Sequence, residues 1–350
     1  MNKDRIKTFA DRVYRDVSGA MVTGMADIGT RTGLFRAMAG QGAMSVGDLT
    51  AATGLQARYV QEWLAGMTAA EYLEYDPEAE TFTLPDEHAY LLASEGTDHF
   101  AGGLFRFAPV LLGVVPQVTE AFTKGGGVHF HEFGGECVPA LDLINRGTYD
   151  QRFTSYWLAA MPEVMAQLET GVRVLDVGCG AGRVPINIAT AFPNSQVVGL
   201  DPDASSIRLA ETEAAASDVG NISFVCETTR TYAPDAKFDL MTTCDVVHDF
   251  AEPEATLAEM HALMKPGGVL FIVEPKAADR LEDNIHPLGA MYYGFSLLHC
   301  MTQSLANGGP GLGTCMGPAR TEQLVREAGF SDFQTLPIKS MTNAFYMAKA

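Results

Sequence analysis

The 350-residue chain has little positive charge and few cysteines. It contains 24 lysines and arginines against 43 aspartates and glutamates, which gives a net charge of −19. Polyanions repel such a chain, so we expect no nucleic-acid partner and no membrane-surface partner, although one local basic patch would escape this argument. The six cysteines form no C-x-x-C pair. Scattered cysteines in a chain of this size predict reduced thiols and a cytoplasmic location.

Long apolar runs are also missing. The most apolar stretch, APVLLGVVP at 108–116, is too short to cross a bilayer. The charged segment MNKDRIKTFADRVYRD at the start lacks the apolar centre of a secretory signal, so we expect no leader there. No internal repeat or low-complexity tract is present, and the length favours two domains over one.

Residues 1–95 have the pattern of a winged-helix domain. The segment 45–55 starts with a capping serine, 56–74 is an amphipathic helix, and YLEYDPEAETFTL at 72–84 predicts a hairpin. Such a domain binds DNA or forms dimers. The hairpin carries four acids and no lysine or arginine, which favours a dimerisation domain and a homodimer. The four acids are Glu74, Asp76, Glu78 and Glu80.

Residues 96–165 predict a helical linker or a substrate cap. They are interrupted by the glycine-rich segment KGGGVHFHEFGGE at 124–136. That segment is either a substrate-facing loop or a flexible connection, and the sequence does not separate the two readings.

Residues 166–350 alternate between strands and helices. Buried strands are predicted at 173–178, 196–201, 222–226, 238–244 and 268–275, followed by a helix at 321–330 and an apolar segment at 343–350. This alternation is typical of a parallel, doubly wound α/β sheet, in which ligands bind beyond the carboxyl ends of the strands.

The first of these strands ends in a glycine-rich loop, VLDVGCGAG. Gly178, Gly180 and Gly182 follow Asp176, and glycine allows a ligand to lie directly against the backbone. A G-x-G-x-G string alone is weak evidence. The second strand, however, ends in Asp201, whose carboxylate can accept hydrogen bonds from both hydroxyls of a ribose. Together these features predict a site for a nucleoside-containing cofactor.

Residues 165–350 resemble the class I S-adenosylmethionine (SAM)-dependent methyltransferases in the segments VLDVGCGAG, VVGLDPD, FDLMTTCDVVHDF and MKPGGVLFIVEP. The front half, GTRTGLFRAMAG and SVGDLTAATGLQARYVQEWLAGM, is similar to the helical dimerisation domain of small-molecule methyltransferases, in particular a mycobacterial-type winged-helix family. The resemblance implies a Rossmann-like seven-stranded domain that binds SAM behind a winged-helix domain.

The resemblance also implies where the cofactor lies. The loop 176–182 would pack on the methionine part of SAM, and Asp201 with Pro202 would hold the ribose. Glu227 and Thr228 would lie near the adenine, although a solvated loop acid is an equal reading for Glu227. Cys244 and Asp245 would lie near the amino group of the cofactor.

Three readings of the acceptor site remain open around His248 and Asp249. In the first, His248 is the general base of an O-methyltransferase, oriented by Glu274, as the similar HDW segment of such enzymes implies. In the second, His248, Asp249 and His299 bind iron or zinc, as in the metal-dependent 2-oxo acid C-methyltransferases that this arrangement resembles.

In the third reading, the acceptor is a thioether sulfur that has no proton to lose. A 2-hydroxy-4-(methylthio) acid on the route to dimethylsulfoniopropionate would fit, with the histidines binding its carboxylate. Additional candidate substrate contacts are His129, His131, Tyr292 and Tyr293. His299 can also be a core residue. We expect a small 2-oxo or 2-hydroxy carboxylic acid as the acceptor. A SAM-sensing transcription regulator is the alternative from another functional class.

Overall fold

The computed structural model describes all 350 residues, which form two compact units of mixed α/β structure. One unit contains Met1–Pro109 and Leu143–Gly147, and the other contains Val110–Asp142 and Thr148–Ala350. The helices are α1 Lys3–Thr32, α2 Leu34–Met38, α3 Val46–Thr53, α4 Ala57–Ala69, α5 Asp86–Leu92, α6 Gly102–Gly113, α7 Val115–Lys124, α8 Cys137–Arg152, α9 Pro162–Thr170, α10 Arg183–Ala191, α11 Ala204–Ala216, α12 Pro253–Leu263, α13 Pro287–Phe295, α14 Met301–Ala306 and α15 Pro318–Glu327. The strands are β1 Glu74–Asp76, β2 Thr81–Thr83, β3 Arg173–Val177, β4 Gln196–Leu200, β5 Ile222–Val225, β6 Phe238–Cys244, β7 Met264–Pro275, β8 Ser331–Thr335 and β9 Asn343–Lys349.

The first unit contains the predicted winged helix. Ser45 caps α3 in a reciprocal capping box with Asp48, as the sequence suggested. Helix α4 ends at Ala69, earlier than predicted, because the chain turns there into the antiparallel pair β1–β2. Phe35 and Trp63 meet edge to face with ring centroids 5.1 Å apart, and they anchor the core of this unit.

The second unit is organised around a seven-stranded sheet in the order β5-β4-β3-β6-β7-β9-β8. The first five strands in this order are parallel, and β9 and β8 are antiparallel additions at one edge. Consecutive residues of a strand point to opposite faces, so Val174 and Leu175 enter two different hydrophobic clusters. The predicted doubly wound α/β architecture is therefore confirmed.

No single helix is long and apolar enough to cross a membrane. One bent pair, Gly102–Gly113 with Val115–Lys124, reaches the necessary length and apolar composition only when its two helices are combined.

Candidate active site

The cofactor residues predicted from the sequence gather at one edge of the sheet. The segment 176–182 runs from the end of β3 into the following loop, Asp201 and Pro202 follow β4, and Glu227 and Thr228 lie after β5. Cys244 ends β6, and Asp245 follows it. These four strands are neighbours and parallel. Their carboxyl ends therefore present all the predicted cofactor residues along one crevice.

The backbone of the glycine loop requires glycine at each of its three positions. Gly178, Gly180 and Gly182 have φ values of 73°, 51° and 79°. A Cβ on Gly178 would lie 2.4 Å from the side chain of Val246, so the loop packs tightly against the residues that follow β6. Only at Gly180 would a Cβ meet no atom within 4 Å, so the backbone there is free of the protein's own side chains, as a contact with the methionine part of SAM would require.

Two carboxylates lie beside this loop. Asp176 accepts a 2.5 Å hydrogen bond from the Thr242 hydroxyl, and Asp201 accepts bonds from the backbone amides of Gly180 and Asp203, both at 2.9 Å. Burial raises the pKa of Asp176 to about 7 and that of Asp201 to about 6. Hydrogen-bond donors or a cationic ligand would favour the ionised form of both.

Among the other predicted cofactor residues, Pro202, Glu227, Thr228 and Cys244 make few hydrogen bonds with the rest of the protein. Glu227 is half-buried, and Thr228 is exposed and bonded to Thr231 in a local turn. The carbonyl oxygen of Pro202 accepts a weak hydrogen bond from the Cys226 thiol. Burial raises the pKa of the Cys244 thiol well above its usual value, so this side chain is a neutral thiol.

Asp245 is held by two residues that the sequence did not single out. Tyr149 Oη donates to Asp245 Oδ2 at 2.9 Å, and Asn343 Nδ2 donates to Oδ1 at 3.0 Å. Asp245 itself has φ 55°, a left-handed conformation that is uncommon outside glycine. No local sequence signal identified these partners, since they lie 96 and 98 residues away along the chain.

His248 and Glu274 form a buried pair at the acceptor end of the crevice. His248 Nδ1 lies 2.6 Å from Glu274 Oε2, and Glu274 Oε1 accepts the backbone amide of Val247 at 2.9 Å. Burial alone would lower the pKa of His248, but the carboxylates of Glu274 and Asp249 outweigh it and raise this pKa well above its usual value. The structure thus places Glu274 against Nδ1 of His248, and its role in orienting the ring for catalysis stays a prediction.

Asp249 and Cys300 lie on the other side of the same imidazole. Asp249 Oδ1 lies 3.3 Å from His248 Nε2, is buried, and has no hydrogen-bond partner. The ligand atoms of His248, Asp249 and Cys300 all lie within 4.8 Å of one another. The sequence analysis did not predict Cys300 as a metal ligand, because the neighbouring His299 is the residue that matches the two-histidine, one-carboxylate pattern.

His299 is buried next to this group and faces other partners. Its two ring nitrogens lie 3.0 and 3.2 Å from Gln303 Nε2, and they lie 3.7 Å from the thiols of Cys300 and Cys137. Burial lowers the pKa of His299 to about 4, so the ring is neutral. The structure does not place His299 in the three-residue group that could hold a metal ion.

The glycine-rich segment packs against the acceptor end. The amide of Val128 donates to Thr302 Oγ1 at 3.0 Å, and the ring of Phe133 meets His299 edge to face at 4.9 Å. The predicted residues of this segment, His129 and His131, are half-buried and exposed, with their rings stacked 5.6 Å apart. The aromatic residues next to them therefore make the contact with His299.

The two tyrosines predicted to contact substrate differ from each other. Tyr292 is buried, and its hydroxyl donates to the carbonyl oxygen of Thr342 at 2.6 Å, which gives it a role in the fold. Tyr293 is 40 % exposed and remains a candidate substrate contact.

Two family models match the chain. Residues 168–329 match a model described as a methyltransferase domain. Residues 19–94 match an Rv2258c-like winged HTH domain. The first match contains the parallel strands β3 to β7 with the glycine loop, and the second contains α2 to α5 with the hairpin, as the sequence resemblance implied.

Among curated relatives, a ubiquinone biosynthesis O-methyltransferase from Bradyrhizobium sp. is 34 % identical over 105 residues, which are 29 % of this chain and 40 % of that protein. This chain thus spans about two fifths of the length of the curated relatives that match in this way. A demethylmenaquinone methyltransferase from Deinococcus radiodurans is 29 % identical over 226 residues, which cover 61 % of this chain and 89 % of that protein.

Among solved structures, human N-acetylserotonin methyltransferase in complex with SAM aligns with a TM-score of 0.70 and 19 % identity. The alignment covers 97 % of each chain. At this identity the likeness concerns the fold, and it extends over both units of the chain.

Proposed function

We propose that this chain, in which residues 168–329 match a methyltransferase domain and residues 19–94 match an Rv2258c-like winged HTH domain, is a SAM-dependent methyltransferase that transfers a methyl group from SAM to a hydroxyl oxygen of a small molecule. Bound SAM supplies the electrophilic methyl group. The observation that carries the proposal is the 2.6 Å contact between His248 and Glu274 at the end of the crevice.

In this proposal the protein's part is to position the acceptor and remove its proton. Glu274 holds Nδ1 of His248, so Nε2 is the nitrogen that accepts the proton of the hydroxyl. The carboxylate of Glu274, which contacts the opposite nitrogen Nδ1, stabilises the imidazolium cation that forms when Nε2 takes up the proton. Phe133 packs on His299 and the amide of Val128 donates to Thr302, and in this proposal the glycine-rich segment shields the acceptor from water.

Turnover of SAM with panels of acceptors tests the function. The panels should contain 2-hydroxy acids, 2-oxo acids, thioether acids and phenols, with His248→Ala beside the wild type. We expect methylation of a hydroxyl acceptor and a loss of about 10²- to 10⁴-fold in His248→Ala, the usual contribution of a general base. Turnover of a thioether acid that does not need His248 would instead support the sulfur reading. A small 2-hydroxy acid is our proposed acceptor for this reaction, whereas a 2-oxo acid would be the acceptor of the metal-assisted reaction described next.

A metal-assisted reaction is a second candidate, and the buried Asp249 Oδ1 favours it, because this atom has no hydrogen-bond partner and lies next to His248 Nε2. Two atoms bound to one tetrahedral zinc ion at about 2.0–2.1 Å are about 3.3–3.4 Å apart. That separation fits the 3.3 Å between Asp249 Oδ1 and His248 Nε2. Glu274 on Nδ1 is the outer partner that metal-bound histidines usually have. Iron or zinc would supply a Lewis acid for a 2-oxo acid here, with Cys300 or His299 as the third ligand.

We also propose that two copies of the chain dimerise through α1. The fully buried residues of this helix lie only near its end, at Ala26, Asp27 and Gly29, and the rest of the helix exposes a stripe of large apolar side chains. The stripe consists of Ile6, Phe9, Val13, Val17 and Met21. A self-complementary contact between two such helices would cover it. The cytoplasmic location stays a prediction from the cysteine pattern.

A further inference from the structure

Asp245 is a carboxylate whose partners in the structure are both uncharged. Its oxygens accept hydrogen bonds from Tyr149 Oη and Asn343 Nδ2, and the charge of His248 acts on it by lowering its pKa, against the larger effect of burial. Burial raises its pKa to about 7, and the neighbouring charge of Glu274 acts in the same direction. A buried carboxylate in these surroundings is stabilised by a cationic ligand.

The backbone of Asp245 supports the same interpretation. Its φ of 55° places a non-glycine residue in the left-handed region, and such strain persists at ligand-binding positions where the surroundings enforce it. The amide of Asp245 donates to the carbonyl oxygen of Val273 at 2.8 Å. The side chain of the next residue, Val246, packs closely against Gly178 of the cofactor loop. The carboxylate is therefore fixed at the edge of the crevice.

Tyr149 comes to this position from α8. It is buried, and its ring meets Trp157 edge to face with centroids 5.7 Å apart. Burial raises the pKa of its phenol well above the usual value, so the hydroxyl stays protonated and acts as a donor. Asn343 begins β9, the antiparallel strand beside β7. Two elements that are distant in sequence thus converge on one carboxylate.

We propose that Tyr149 and Asn343 are positioning residues that hold Asp245 to receive the ammonium group of the cofactor's methionine part. The inference rests on the proposed function, since it takes SAM as the ligand. It assigns to α8 and β9 a role in cofactor affinity. If this role is correct, loss of either hydrogen-bond donor lowers the affinity only for ligands that carry the ammonium group.

Calorimetry with three ligands tests this inference. SAM and S-adenosylhomocysteine carry the amino-acid group, whereas 5′-methylthioadenosine lacks it. We expect Tyr149→Phe and Asn343→Ala each to lower the affinity for SAM and for S-adenosylhomocysteine about tenfold. The affinity for 5′-methylthioadenosine should change less than about twofold. Tyr156→Phe is the matched control, because its half-exposed hydroxyl only accepts from the backbone amide of Lys339 and should not affect any of the three.

A double variant makes the test independent of general damage to the fold. In an Asp245→Asn background, Tyr149→Phe should add little to the loss of SAM affinity, because both changes remove the same interaction. Equal weakening of all three ligands, or additive losses in the double variant, would overturn the positioning role. Failure of the wild type to bind SAM would instead contradict the proposed function.

Discussion

Glu274 and His248 are joined by a 2.6 Å contact, and both side chains are almost completely buried. Glu274 and Asp249 raise the pKa of His248 against the opposite effect of burial. A general base must be neutral, so kcat/KM should rise with pH through this raised pKa. Glu274→Gln removes a negative charge, lowers the pKa of His248 and should shift the acidic limb of the profile to lower pH, with a reduced plateau.

The pH profile of kcat/KM, measured with any acceptor that turns over, checks this expectation. Glu254→Gln is a suitable control, because the exposed side chain of Glu254 pairs with Arg320 and its loss should leave the profile unchanged. An acidic limb that stays in place in Glu274→Gln would assign the titration to another group.

Asp201→Ala should weaken SAM binding by about 10- to 100-fold, the loss expected when hydrogen bonds to a charged group are removed. The residue also accepts the amide of Gly180, so the loop loses one support. Asp203→Asn is the matched control. Its backbone amide still bonds to Asp201, whereas its side chain caps α11 and affects mainly stability. Calorimetry and thermal unfolding of both variants separate the effects, and unchanged SAM affinity in Asp201→Ala would refute the ribose assignment.

Metal analysis of protein purified without a histidine tag tests the second candidate function. If a metal is resident, mass spectrometry should find about one equivalent of zinc or iron per chain. Asp249→Asn should remove it, since the unpartnered Oδ1 would be a ligand.

Replacement of the metal by Co²⁺ identifies the third ligand. A thiolate ligand gives a near-ultraviolet charge-transfer band, which Cys300→Ser should abolish and His299→Ala should retain. Cys137→Ser controls for the loss of a buried thiol beside His299. Loss of metal in His299→Ala alone would restore the triad predicted from the sequence, and wild-type protein without metal would eliminate the metal-assisted reaction.

Local sequence patterns were sufficient for much of the fold. The five buried strands read as apolar runs, and the loop after β3 needed three glycines for its positive φ values. The edge strand β8, Ser331–Thr335, was not predicted because its side chains are polar and mostly exposed. Strand β7 begins at Met264, before the predicted start, because Met264 pairs with Phe238 of β6, and a register shift separates this pair from the next one, Leu240 with Val269.

The candidate site was predictable only where a residue follows a strand. Asp201, Asp245 and His248 could be located in this way, because the carboxyl ends of parallel strands meet at one edge. Tyr149 and Cys300 could not, because they reach the site from helices whose packing no local pattern specifies. In the segment 124–136, His129 and His131 were predicted as substrate contacts, whereas Phe133 is the residue that packs against His299.

The dimer proposed for α1 gives the last prediction. Val13→Glu combined with Val17→Glu would place two charges in the apolar stripe, where each valine contributes about 1.5–3 kcal/mol when buried. We expect the wild type to be a dimer at micromolar concentration and the double variant to be a monomer by light scattering. Arg15→Glu is the control, because at 3.6 residues per turn it lies on the opposite face of the helix. A double variant that still dimerises would move the interface away from α1, and a monomeric wild type would leave the stripe to a different partner.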